Sequence, residues 1–240
     1  MTRQPVDAAP AKHERISRRS TGYHNRFFLT PLIRGGLRGL VKFRLIRSTV
    51  EGREHIPTKG PYIAAFRHIS LADPIFGWGA LRGIVRAVAA QGLWRVPILG
   101  LVMWLQGHIP VVRGNQASGA KVRSAMDATL QADKILMIFP EAKLMPANAM
   151  RRRLKRGVVD VAFDNDVPVV PCGIEGTDRF WPRRWLLPRR WRAAVALRFG
   201  AALHPSDYTQ DEAGRLAMLS DLQRTIAHLS GLPTDFEMVD

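Results

Sequence analysis

Tyr62-Ile63-Ala64-Ala65-Phe66-Arg67-His68-Ile69-Ser70-Leu71-Ala72-Asp73-Pro74 is the stretch whose reading decides the fold. Five consecutive apolar residues, Tyr62–Phe66, form a short apolar run that reads as a strand. Asp73-Pro74 then opens a helix. A strand running straight into a helix is the unit of an α/β domain. Between the two, His68 and Asp73 stand five residues apart at the strand-to-helix junction. A tight turn there brings the carboxylate back to one imidazole nitrogen and leaves the other facing outward as a general base.

The same alternation continues outward. Arg86–Ala90, Ile109–Arg113, Ile135–Phe139, Val167–Cys172 and Ala194–Phe199 read as further strands, and Asp73–Arg82, Ala117–Gln131, Arg151–Asp164 and Asp211–Ser230 as helices. The expected fold is a mixed central β-sheet flanked by helices, in one α/β domain over residues 50–240. Residues at the carboxyl ends of strands converge on the binding crevice of such a sheet. His68 sits at one such end. Arg113 closes Gly107-His108-Ile109-Pro110-Val111-Val112-Arg113 and suits bidentate binding of a phosphate, and Glu141 closes Phe139-Pro140-Glu141. A base, a phosphate ligand and a carboxylate are therefore expected in one cleft.

Lysine and arginine total 36 of the 240 residues against 20 acidic ones, a formal charge of +16. That balance calls for a polyanionic partner: nucleic acid, an anionic membrane surface, or phosphorylated and CoA-linked substrates. A single cysteine, Cys172, excludes a disulfide framework and a multi-cysteine metal site, and its place on an expected strand makes it a core residue. Richness in arginine, alanine, glycine and valine points to a GC-rich bacterial source.

Residues 1–22 read as a disordered basic tail with no apolar core of a secretory signal. Over residues 23–49 apolar side chains interleave with arginine and lysine, and no acidic residue occurs between Glu14 and Glu51. This is the pattern of amphipathic helices lying on a membrane, or of packing helices with a solvated basic face. No stretch reaches the roughly 18–20 apolar residues that a spanning helix needs. The expected location is peripheral, at the cytoplasmic face of the membrane. Arg179–Arg192, which interleaves arginines with Trp181, Trp185 and Trp191, leaves three readings open. It is a loop at the lipid headgroups, a grip on single-stranded nucleic acid, or a surface loop folded onto the core.

In order, His68-xxxx-Asp73, Gly107-x-Ile109-x-Val111-x-Arg113, Phe139-Pro140-Glu141 and Val167-Pro168-Val169-Val170-Pro171 resemble the blocks of the glycerophospholipid acyltransferase family, whose best-known members are lysophosphatidate acyltransferases. The likeness spans about Val50 to Leu203. It takes in Val50–Pro57 before the first block and Leu154-Lys155-Arg156-Gly157 after the third. The resemblance implies an acyltransferase domain in which His68 deprotonates an acceptor hydroxyl that attacks an acyl thioester, with Asp73 as its orienting partner. Arg113 is then the ligand of the acceptor phosphate and Glu141 places the glycerol hydroxyls, with Lys143, Lys155 and Arg156 as further phosphate or CoA contacts. The acyl donor is acyl-CoA or acyl carrier protein. The acceptor is a lysophospholipid, foremost 1-acylglycerol 3-phosphate giving phosphatidate, otherwise glycerol 3-phosphate or another lipid alcohol. Neither metal nor cofactor is implied. Anionic membrane lipids are the expected partner, and nucleic acid is not, since no nucleic-acid-reading motif occurs. The alternative of another class is a non-catalytic basic adaptor binding membranes or nucleic acid.

The sequence departs from the family pattern at three places. Glu141 is followed by Ala142-Lys143-Leu144-Met145, where members commonly read Gly-Thr-Arg-Ser. Arg67 stands where asparagine is usual, and Gln91-Gly92-Leu93 where a lysine often lies.

Overall fold

A computed structural model describes residues 31, 32, 35, 36, 39, 47–97, 99–112, 116–182, 188–190, 192–233 and 237–239. In chain order these form β1 (Arg47–Glu51), β2 (Tyr62–Phe66), α1 (Asp73–Ala80), β3 (Val85–Ala90), α2 (Leu99–Leu105), β4 (Ile109–Val111), α3 (Gln116–Gln131), β5 (Ile135–Ile138), β6 (Ala149–Arg151), α4 (Gly157–Asn165), β7 (Val169–Glu175), α5 (Thr177–Phe180), β8 (Ala194–Phe199), α6 (Glu212–Leu229) and β9 (Glu237–Val239). Seven strands make one sheet in the order β1-β8-β7-β2-β5-β3-β4, and β6 pairs with β9. The large sheet is mixed: β7 and β8 run antiparallel, and its other neighbours are parallel.

β2 lies at the centre, and all five of its residues are buried. Alternate side chains enter two cores. Tyr62, Ala64 and Phe66 face one, with Phe76 and Trp78 of α1 and Val195, Leu197 and Phe199 of β8. Ile63 and Ala65 face the other, with Val158, Val161 and Ala162 of α4. Met218, Leu222 and Ile226, four apart on α6, put one stripe of that helix into the second core. Each such aliphatic side chain contributes about 1.5–3 kcal/mol by leaving water. Gly173 of β7 allows the closest approach of α6, since a Cβ there would lie 2.3 Å from the Leu229 backbone.

The mixed sheet flanked by helices matches the sequence expectation. Several local boundaries differ. Arg47–Thr49 belong to β1, paired with Ala194–Ala196, rather than to an amphipathic helix. The rest of that segment falls almost wholly outside the described residues, as does the basic tail. The expected helix Arg151–Asp164 begins only at Gly157. The backbone before it is claimed by tertiary bonds: Gln223 Nε2 donates to the carbonyls of Arg151 and Arg152, and the Lys155 N–H donates to Pro140 O at 2.8 Å. Such bonds outweigh the modest helix propensity of an arginine run. The strand expected over Ile109–Arg113 is β4, which ends at Val111. Among the described residues, no helix is long and apolar enough to cross a membrane.

Candidate active site

β2 ends at Phe66, and the chain turns through Arg67–Ala72 into α1. Asp73 is fully buried at the start of that helix and collects four donors. Its Oδ2 accepts from the N–H groups of Ile69 at 2.7 Å and Ser70 at 2.8 Å, and lies 2.9 Å from His68 Nδ1. Its Oδ1 accepts from Thr177 Oγ1 at 2.5 Å. An oxygen already accepting two backbone N–H groups takes the imidazole as a third donor, which assigns the ring proton to Nδ1. Nε2 then carries the lone pair, with no hydrogen-bond partner among the described residues. The ring is 18 % exposed and rests against Phe139, centroids 4.3 Å apart, so one edge is open to a reactant.

β5 lies beside β2 and delivers Glu141. This carboxylate is buried, and its Oε2 accepts the His68 N–H at 2.8 Å while Oε1 has no partner among the described residues. Burial pushes its carboxyl up to about 7, against the opposing pull of the His68 N–H and the Arg67 guanidinium. The carbonyl of His68 in turn accepts the Met145 N–H at 2.7 Å, so the two strand ends are laced together. Ala142 adopts φ 57°, a left-handed conformation that glycine meets without strain, at the position where the resembling family commonly carries glycine.

Arg67 is a residue whose part the sequence did not reveal. It is 1 % exposed, and its Nη2 donates to the carbonyls of Pro146, Ala147 and Ala149 at 3.1, 2.8 and 2.9 Å. Burial lowers its pKa, although Glu141 and Asp73 favour the charge. The unusual Arg67 and the unusual segment after Glu141 are thus bound to each other. Thr177 was equally hidden, because its role depends on β7 lying next to β2.

His68, Asp73 and Glu141 come together as the sequence predicts. Arg113 lies outside the described residues. Lys143 is half-buried two residues past Glu141, and Lys155 is exposed, its backbone tied to Pro140. The Arg156 guanidinium is engaged by Asp160 and Glu212, at 3.0 and 2.7 Å, so the structure gives it an intramolecular role. In the Arg/Trp stretch, Trp181 packs against the core and its carbonyl accepts Ser70 Oγ at 2.8 Å. The folded-back reading holds for that residue, whereas Trp185 and Trp191 lie outside the described residues. Arg179, Arg190 and Arg192 line a surface pocket of about 440 Å³.

This arrangement can take a proton on Nε2, with Asp73 holding the ring and stabilising the imidazolium. It offers no nucleophile of its own among the described side chains of the site. Ser70 Oγ is committed to Trp181 O and the Ala72 N–H, and Cys172 is buried with its thiol pushed well up by desolvation. A family model described as Acyltransferase matches residues 47–175, more than half of the chain. The chain belongs to the Acyltransferase family. It is 26 % identical over 171 residues to a 1-acyl-sn-glycerol-3-phosphate acyltransferase of Limnanthes alba, covering 68 % of this chain and 57 % of that protein. It is 25 % identical over 149 residues to one from Borreliella burgdorferi, covering 60 % and 59 %. The chain therefore spans little more than half the length of these curated relatives. Its fold is similar to the crystal structure of the 1-acyl-sn-glycerophosphate acyltransferase PlsC from Thermotoga maritima, with TM-score 0.64 and 21 % identity over 87 % of this chain and 82 % of that one.

Proposed function

We propose that this Acyltransferase-family chain moves a fatty acyl group from acyl-CoA or acyl carrier protein to the free hydroxyl of 1-acylglycerol 3-phosphate, giving phosphatidate. The observation that carries this reading is the His68–Asp73 pair, its carboxylate fixed by four donors and its Nε2 without a hydrogen-bond partner among the described residues. The names of the similar proteins support the same acceptor.

In the proposed reaction Nε2 accepts the hydroxyl proton as the oxygen attacks the thioester carbonyl. The tetrahedral intermediate collapses by breaking the C–S bond, and the leaving thiolate takes the proton back from the imidazolium. Asp73 keeps the imidazole in the tautomer this needs. The general-base term is worth about 10² to 10⁴ in rate. Glu141, buried and bonded to the His68 N–H, helps place the acceptor's one free hydroxyl through the turn it holds. Arg113 and Lys143 take the acceptor phosphate and Lys155 a donor phosphate. Arg156 is the weakest such candidate, because two carboxylates already hold it. No cofactor beyond the acyl donor takes part. The enzyme works peripherally at the cytoplasmic membrane face, held by its basic surface to anionic lipids, each juxtamembrane basic residue contributing about 1 kcal/mol.

The test is thiol release from acyl-CoA and from acyl carrier protein, with 1-acylglycerol 3-phosphate, glycerol 3-phosphate and a non-phosphate lipid alcohol as competing acceptors. The reading expects 1-acylglycerol 3-phosphate to give the highest kcat/KM. Preference for another acceptor would move the substrate and leave the chemistry in place.

A further inference from the structure

The connection from β3 to β4 carries apolar side chains that the fold does not use. Leu101 and Trp104 are 59 % and 61 % exposed, three residues apart on one side of α2, and Val96, Leu99 and Val112 are exposed nearby in sequence. Their outward direction is fixed by packing. Met103 and Gly100 are buried, and a Cβ on Gly100 would stand 2.2 Å from the Trp94 carbonyl oxygen, so α2 is pressed onto the turn Gln91–Arg95. Clustered large apolar side chains held outward in this way mark an interaction surface.

Charge and placement indicate what covers it. No aspartate or glutamate occurs between Asp73 and Asp127, while Arg82 and Arg95 are exposed. A second copy of a chain carrying +16 would be repelled, whereas an anionic surface with an apolar interior meets both properties. β3 runs parallel to β5, and β5 to β2, so Gln91–Arg95 leaves the sheet at the end where His68 and Glu141 lie. Leu71, inside the His68–Asp73 turn, is also exposed at that end.

We propose that the β3–β4 connection, centred on Leu101 and Trp104, is a docking surface for an anionic lipid bilayer. This deepens the proposed function and rests on its lipid acceptor: the surface presents the site to the membrane that holds the substrate. Tryptophan and leucine enter the headgroup boundary, and Arg95 meets lipid phosphates.

Flotation of the full chain with vesicles of phosphatidylglycerol and phosphatidylcholine, against phosphatidylcholine alone, tests this. Wild type partitions more strongly to the mixed vesicles. Leu101→Glu/Trp104→Glu lowers that partition at least about tenfold, because two apolar contacts become repelled charges. Leu216→Glu, at a leucine 54 % exposed on α6, leaves it at the wild-type value. Thermal melts confirm that both variants fold. Unchanged partition in the double variant, or an equal loss in Leu216→Glu, overturns the proposal. So does a lipid-free wild-type dimer that the double variant dissolves, which would assign the face to a second copy. His68→Ala keeps wild-type partition, so a failure of the proposed chemistry and a failure of docking are read separately.

Discussion

The backbone N–H of His68 donates to Oε2 of Glu141 at 2.8 Å across a sequence separation of 73 residues. Ala65 of β2 and Ile138 of β5 are register partners with the same separation. The pairing of two parallel strands is therefore carried three residues past their last register pair, into the turns that hold His68 and Glu141. His68 and Glu141 are positioned by the central sheet, in turns that directly follow two neighbouring strands. A shift of that register separates them, and several consequences can be measured.

Glu141 links the site to pH. Its carboxyl is raised to about 7 by burial, above the ordinary 4.5, so the native state binds its proton more tightly than the unfolded chain does. Stability from this group is complete below about 4.5 and is lost as pH rises through about 7, by about 3 kcal/mol in all. Glu141→Gln keeps an oxygen for the His68 N–H and carries no charge. Its melting temperature relative to wild type is expected to rise between pH 5 and pH 8. A difference that stays flat with pH contradicts the burial of an ionisable Glu141.

Thr177→Val keeps the shape of the side chain and removes one of the four donors to Asp73. The expected cost is about 1–2 kcal/mol, seen in the urea midpoint. Turnover falls with it, because the carboxylate that orients His68 gains freedom. Unchanged kcat in a destabilised protein would confine Thr177 to a structural role.

Arg67 fastens the segment after Glu141 through three carbonyls. Arg67→Met fills similar space and leaves those acceptors without their donor, so a loss of about 3 kcal/mol is expected. Arg67→Lys restores the charge without the planar fork and recovers only part of it. Equal stability of all three proteins by chemical denaturation would remove Arg67 from this role.

Ala142 adopts a positive φ that costs an L-residue about 1–2 kcal/mol. Part of any relief is lost to the greater unfolded-state freedom of glycine. Ala142→Gly is expected to stabilise the protein by up to about 1 kcal/mol. Destabilisation would mean that the alanine methyl packs well enough to outweigh the strain.

The strands and the His68–Asp73 turn were legible because short apolar runs alternate with longer helical stretches, and the pair falls at one such junction. Glu141 was legible from its place after a strand. Arg67 and Thr177 were not, since their roles depend on which distant segments the sheet order brings beside them. The helix expected over Arg151–Asp164 failed for a related reason. Its first residues hydrogen-bond to Gln223 and Pro140, which local propensity does not register. Arg156 stood in the sequence as a weaker phosphate or CoA candidate, and its ion pairs with Asp160 and Glu212 were not legible there because Glu212 lies 56 residues away.

The most direct test compares wild type with His68→Ala in acceptor-dependent thiol release from acyl-CoA, using 1-acylglycerol 3-phosphate and vesicles. The ring is partly exposed, so the variant is expected to fold and to melt near the wild-type temperature. Turnover is expected to fall by about 10² to 10⁴. A His68→Ala protein that transfers acyl groups at the wild-type rate would contradict the assignment of the base. A wild-type protein that binds lipid yet releases no thiol with any acceptor or donor would return the chain to the non-catalytic reading.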